Sequence, residues 1–181
     1  FMARSPKDAI GVWQFMEPTA RSMGLRVDEF VDERRHVVKS TKAAIKYLKS
    51  GHSSLKNWSF AAAGYNMGHG SVKENIDFQK GKTFYDLFLN EETSRYVLRI
   101  AIIKELMEHA EKYGLQISDD ECYKPSKVKA VKVDKAIVDL AEWAINNGTS
   151  YKDVKLLNPW ILKRTLPTPK GEPYSIDVPN E

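Results

Sequence analysis

Gly11-Val12-Trp13-Gln14-Phe15-Met16-Glu17-Pro18-Thr19-Ala20 sets one amide side chain, Gln14, between two large aromatic groups, just ahead of a Pro-led helix start. An amide carries both donors and an acceptor. If the aromatic flanks bury it, Gln14 must be bonded by the protein or open to a polar ligand. Pro18 fits a first helical turn, where its missing N–H costs nothing, and Gly24 is placed to close the turn begun at Thr19.

Downstream of this stretch the pattern stays helical. Ser40 or Thr41 can cap a helix running through Ala43, Ala44, Tyr47 and Leu48 to Gly51. Trp58-Ser59-Phe60-Ala61-Ala62-Ala63 is apolar and small, which predicts a buried helix ending between Gly64 and Gly70. Ser71 and Val72 then open another. From Glu91 a long amphipathic helix is predicted, with Val97, Ile100, Ile103, Met107 and Ala110 at three- and four-residue spacing and Gly114 as its stop. No segment up to this point alternates as a strand does.

Residues 118–127 form a polar connector. Beyond them Val128 to Val133 alternate Val or Ala with Lys, which is strand chemistry. Asp134 is placed to cap a helix carrying Ile137, Leu140, Ala141, Ala144 and Ile145, closed by Asn146-Asn147-Gly148. Ser150 caps a second, stopped by Asn158-Pro159, and Tyr174 to Val178 alternate again. The result is a strand–helix–helix–strand unit of the kind that needs good packing to stand at its size.

Composition narrows the function classes. With 42% apolar and 29% charged residues the chain is globular rather than disordered, and its net charge of +4 is spread without a basic stripe. Nucleic acid is therefore not an expected partner. No apolar run reaches the roughly 18 residues that span a bilayer. Cys122 stands alone, so neither an internal disulfide nor a thiolate metal site is expected. His36, His52, His69 and His109 lack ligand spacing; no metal and no cofactor are expected, and His69 reads as a loop residue.

Ala62 to Val72 hold three glycines around Tyr65-Asn66, so the backbone there turns sharply or lets something approach closely. On spacing alone this is a helix end with Tyr65 as a half-buried core aromatic. Taken together, Gly-x-Trp-Gln-Phe-Met at 11–16, Ala-x-Tyr-Asn-x-Gly-x-Gly-x-Val at 63–72 and Glu-Thr-x-x-Tyr-Val at 92–97 resemble, in order, the signature segments of the soluble lytic transglycosylase (SLT, lysozyme-like) family. Val27 to Arg35, Ser40 to Ala44 and the Leu166-Pro167…Tyr174-Ser175-Ile176 ending look like its membrane-bound lytic transglycosylase D branch. Residues 128–181 resemble a diverged LysM module, in which Asp134-Lys135-Ala136-Ile137 replaces the usual Gly-Asp-Thr-Leu.

The resemblance implies a mainly α architecture: a lysozyme-like helical domain over 1–117, the connector 118–127, and a small α+β LysM-like module over 128–181. It implies non-hydrolytic cleavage of the MurNAc-β-1,4-GlcNAc bond of peptidoglycan, leaving 1,6-anhydroMurNAc ends. One carboxylic acid would serve twice, protonating the leaving oxygen and then taking the C6 hydroxyl proton. The family's acid is a Glu in a Glu-Ser pair ahead of a Ser-Pro-like turn, which Ser5-Pro6 matches. Counting back, that Glu falls before Phe1, and Asp8 lies on the wrong side of the turn. The expectation is that these 181 residues alone do not cleave, and that apolar surface is exposed around Trp13 and Phe15.

Transferred residue by residue, the resemblance makes Tyr65 and Glu92 supporting catalytic residues and Gln14, Asn66, Tyr96 and Met16 substrate contacts. It places the protein in the bacterial cell envelope, in the periplasm, with a possible lipoprotein anchor upstream, and makes glycan strands of peptidoglycan its partner. A non-catalytic peptidoglycan-binding or scaffold protein is the alternative, separated by whether the Glu-Ser pair exists.

Overall fold

The sequence's helix signals become seven α-helices and one two-stranded antiparallel sheet in a computed structural model that describes residues 2–180. The chain divides into two compact units. One joins the residues up to Ala44 with those from Lys124 onward; the other is Ile45–Tyr123.

The first unit begins with a tight hairpin. Ile10 and Phe15 exchange backbone hydrogen bonds of 3.1 and 3.2 Å, so residues 11–14 form the turn. Helix α1 (Glu17–Ser22) follows with Pro18 in its first turn, Met23 as C-cap and Gly24 at φ +96°. Asp32 then caps a 3₁₀ turn, Glu33–Arg35, by accepting from the Arg34 N–H. Helix α2 (Val37–Leu55) starts earlier and runs further than its Ser40/Thr41 signal suggests. Ser40 is buried inside it and its hydroxyl donates back to the Val37 carbonyl, a bond a mid-helix serine makes when it is not a cap.

The C-terminal part of this unit is the strand–helix–helix–strand motif. Strands β1 (Val128–Val133) and β2 (Tyr174–Pro179) pair with Val131 opposite Ile176. Between them lie α6 (Leu140–Asn146) and α7 (Tyr151–Leu157). The cap of α6 is Asp139, not Asp134: its carboxylate accepts from the Ala141 and Glu142 N–H groups. Ile137 is held outside the helix because it exchanges 2.8 Å backbone bonds with Leu166. Ser150 caps α7 as its position predicts. Leu140, Val154, Ile161, Leu166, Ile176 and Val178 form the core.

The second unit contains α3 (Trp58–Met67), α4 (His69–Gln79) and α5 (Glu91–Glu108). Asn57 caps α3, and Gly68 at φ +93° ends it and at once begins α4, two residues before the predicted start at Ser71. Phe60, Ala63, Val72, Phe84 and Leu89 make the core, with Leu55, Met67, Ile76, Leu87 and Val97 packed against it. Asn90 caps α5, and Gly114 at φ +69° closes the 3₁₀ turn Ala110–Tyr113. The apolar stripe of α5 is only partly used: Val97 joins the core, whereas Ile100, Ile103 and Met107 are exposed.

Candidate functional site

In the helical unit the Tyr65-Asn66 pair sits in the last turn of α3, where it meets the first turns of α5. Asn66 accepts a 2.7 Å hydrogen bond from the Thr93 hydroxyl, and Thr93 is completely buried. The backbone N–H of Thr93 is in turn capped by Asn90. Thr93 is thus the part of the Glu-Thr-x-x-Tyr-Val segment that ties α5 to α3. Glu92 beside it is exposed and reaches Arg99 at 3.5 Å.

Tyr65 is half-buried against two more phenols. Its ring lies edge-on to Tyr47 of α2, with centroids 5.6 Å apart. Burial pushes its hydroxyl well above the usual phenol range, and repulsion from Tyr96 and Tyr47 adds to this. Burial raises Tyr96 as well, and raises Tyr47 against a hydrogen bond from the His69 backbone. All three therefore stay neutral around pH 7 and keep a proton to donate. They can orient and stabilise oxygen atoms; they are not bases.

His69 is not a loop residue. It opens α4, and its ring stacks on Tyr47 with centroids 4.2 Å apart. A Cβ at Gly51 or at Gly64 would overlap that ring, so two glycines from two helices make its slot. Burial lowers its pKa, and its Nε2 is buried with no hydrogen-bond partner. No motif links Gly51, Gly64 and His69 in sequence; the slot arises only when α2, α3 and α4 pack. Gly64→Ala should therefore lower the unfolding free energy of this unit by about 2 kcal/mol through overpacking. Adding His69→Ala should restore most of it, as measured by a double-mutant cycle in urea.

The Gln14 turn lies in the other unit. Gln14 is exposed rather than buried, at φ +50°. Its side-chain nitrogen donates to the Gly11 carbonyl at 2.7 Å and to the Ala3 carbonyl at 3.3 Å. Both amide hydrogens thus close the turn, and the group left to offer a ligand is the oxygen, an acceptor. Trp13 turns aside and donates from its indole to the Thr41 hydroxyl at 2.8 Å. Phe15 is buried and Trp13 half-buried, so the apolar exposure here falls on Val12 and Met16 instead. The hairpin folds Phe15 inward through its bridge to Ile10, which removes the surface expected around it.

The same unit has a cleft of about 380 Å³ in its C-terminal part, lined by Val138, Asp139, Ala141, Tyr151 and Arg164. It combines an apolar side, one aromatic ring, one cation and the carboxylate of Asp139. Among the described residues no group of His, Cys, Asp and Glu is arranged to hold a metal ion, and no helix is long and apolar enough to cross a membrane.

Comparison with known proteins places these features. Residues 2–88 match the family model of the Transglycosylase SLT domain, and residues 129–181 match that of the soluble lytic transglycosylase C-terminal LysM-like domain. Over 170 residues, 91% of this chain, the sequence is 30% identical to "Membrane-bound lytic murein transglycosylase D" of Escherichia coli K12, covering 37% of that protein. A "Putative tributyltin chloride resistance protein" of Alteromonas sp. strain M-1 is 32% identical over 81 residues, 44% of this chain and 39% of that protein. The chain thus spans under two-fifths of the length of the curated relatives it matches.

Proposed function

The chain belongs to the SLT-type lytic transglycosylase family, and from that premise we propose that it is the glycan-handling part of an enzyme that cuts the MurNAc-β-1,4-GlcNAc bond of peptidoglycan without water. The observation that carries this reading is the set of neutral, half-buried tyrosines at the α3–α5 contact, anchored by the Thr93–Asn66 bond. In the reaction proposed, an acid protonates the leaving glycosidic oxygen as the C1–O bond breaks. The C6 hydroxyl of the same MurNAc closes on C1 and returns its proton to that acid, leaving a 1,6-anhydro ring. Such a step develops positive charge on the sugar, and fixed hydroxyl dipoles suit it better than a second acid.

Tyr65 and Glu92 take the supporting roles near the reacting sugar, with Asn66 fixing the Tyr65 turn and Tyr96 contacting substrate. Gln14 receives a sugar N–H or O–H on its amide oxygen, and the exposed Met16 supplies an apolar contact. The segment 1–117 acts as the catalytic domain and 128–181 as the LysM-like module, joined by 118–127. The Tyr151–Arg164 cleft is where that module meets a sugar ring. The partner is the glycan strand of peptidoglycan, in the bacterial cell envelope on its periplasmic side.

The acid is the residue these positions do not supply. We infer that the residues placed above bind glycan without themselves supplying the acid. Incubating purified sacculi with this chain and analysing the soluble products by mass spectrometry tests that. No 1,6-anhydromuropeptides above the enzyme-free control are expected. Their appearance would overturn the assignment of the acid, and new reducing ends would point to a hydrolytic muramidase instead. A full-length protein lacking a Glu-Ser pair in this region would favour the non-catalytic binder.

A further inference from the structure

Segments that match two different family models share one core. Val31, from the SLT-matching part, is completely buried within the core of the C-terminal module. Its backbone forms an antiparallel bridge with Ile161. On either side, the Leu162 N–H donates to the Phe30 carbonyl and the Asp32 N–H donates to the Trp160 carbonyl, each at 2.8 Å. Further out, the Arg26 guanidinium donates to the Tyr174 hydroxyl at 2.9 Å, and His36 stacks on Trp160 with centroids 6.0 Å apart. A module on a flexible tether would show none of these bonds.

From Asp32 the connection continues to the Gln14 turn. The Asp32 carboxylate takes the Arg34 fork in two bonds, from Nε at 2.9 Å and from Nη2 at 2.8 Å. Both side chains are buried, at 4% and 6% exposure. The remaining Nη1 of Arg34 donates to the carbonyls of Phe15 at 3.2 Å and Asp8 at 3.3 Å. At the other end of the turn, Gly11 lies so close to the Arg34 carbonyl that a Cβ there would overlap it. Both ends of the turn that carries Gln14 therefore rest on Arg34. Arg34 is fixed by Asp32, and the backbone of Asp32 is fixed by Trp160.

We propose that the C-terminal module serves as a buttress for the Gln14 turn, with Asp32 and Arg34 as positioning residues that carry its rigidity to the hairpin. What Gln14 touches rests on the functional reading above; the mechanical coupling does not. A module of this kind sets the shape of a substrate-contacting turn in addition to any glycan it binds itself. Its loss would loosen the turn even where the glycan is short.

Backbone hydrogen exchange by NMR on the whole 181-residue chain tests the coupling. Ile176→Ala opens a cavity in the module core, far along the chain from the hairpin. The Ile10 and Phe15 N–H groups, which close the hairpin, should lose protection by roughly tenfold or more, in step with the β1–β2 amides. The amides of α3 should keep theirs. Unchanged hairpin protection beside weakened β1–β2 amides would overturn the proposal. Should Ile176→Ala not fold, Ile176→Val gives the same comparison at smaller amplitude. Arg34→Lys keeps the charge but not the fork, and it should move the Gln14 side-chain amide signals toward those of a free amide. Unmoved signals would count against the positioning role. Titration of Gln14→Ala with a β-1,4-linked N-acetylglucosamine tetrasaccharide separates the two ideas. Unchanged affinity there, with moved signals in Arg34→Lys, would remove the contact and leave the buttress standing.

Discussion

Arg34→Met should lower the unfolding free energy of the unit that contains it by about 3–5 kcal/mol, because it leaves a buried carboxylate without its partner. The Asp32 side chain is 4% exposed, and both of its oxygens accept from the Arg34 fork at 2.9 and 2.8 Å. With the guanidinium gone, the Arg34 N–H at 3.1 Å is the one hydrogen bond left to the carboxylate among the described residues. The Asp8 and Phe15 carbonyls each lose the Arg34 bond as well, and Phe15 keeps only its bond from the Ile10 N–H. Replacing both partners, as Asp32→Leu with Arg34→Met, should recover part of the loss, since an absent pair costs less than a broken one. Urea titration followed by circular dichroism measures both. A loss for the single variant below about 1 kcal/mol would mean that water screens the pair as it does at a surface.

Gly11→Ala should cost about 3 kcal/mol or more, from two causes acting at one residue. Gly11 sits at φ +84°, where a side chain is strained, and its missing Cβ is the space taken by the Arg34 carbonyl oxygen. A backbone carbonyl cannot rotate aside as the end of a long side chain can, so the hairpin or the 3₁₀ turn must shift. Gly24 provides the control. It has a similar φ of +96°, yet nothing lies within 4 Å of a Cβ built there. Gly24→Ala should therefore cost only the backbone strain, about 1–2 kcal/mol. Thermal melts of the two variants compare them directly. Equal losses would show that strain alone explains the glycine, and that the close approach to Arg34 contributes nothing.

The parts of this molecule that were legible in the sequence are those fixed by local chemistry. Pro18, Asn158-Pro159 and Gly114 end or begin elements where their backbones demand it, and the alternation at Val128–Val133 and Tyr174–Val178 became a paired sheet. Boundaries failed where a tertiary contact competed with a local signal. Asp134 lost the cap of α6 to Asp139 because Ile137 is drawn into a bridge with Leu166. Ser40 looked like a cap, yet α2 begins three residues earlier and buries it.

Legibility of the candidate site followed the same rule. The ordered motifs pointed to Tyr65, Asn66 and Tyr96, which the α3–α5 packing brings into one unit. The flanking aromatics suggested a buried Gln14, but the turn needs a residue at positive φ there, and that turn presents its side chain to solvent. The contacts of Thr93, Thr41 and His69 were not readable, because each is defined by a partner 18 to 28 positions away rather than by its neighbours. Arg34 was visible only as one charge among four in Asp32-Glu33-Arg34-Arg35; nothing in that run marks which is buried.

The central claim is that these residues handle a glycan, and one titration tests it most directly. Isotope-labelled 181-residue chain is titrated with a GlcNAc–MurNAc tetrasaccharide and followed by NMR. Saturable shifts are expected at the Gln14 side-chain amide and around Tyr65, Asn66 and Tyr96. Gln14→Ala and Tyr65→Phe should each weaken binding by roughly tenfold, the effect of losing one well-placed hydrogen bond. Binding that leaves all four positions unmoved, or no saturable binding at millimolar sugar, would contradict the account.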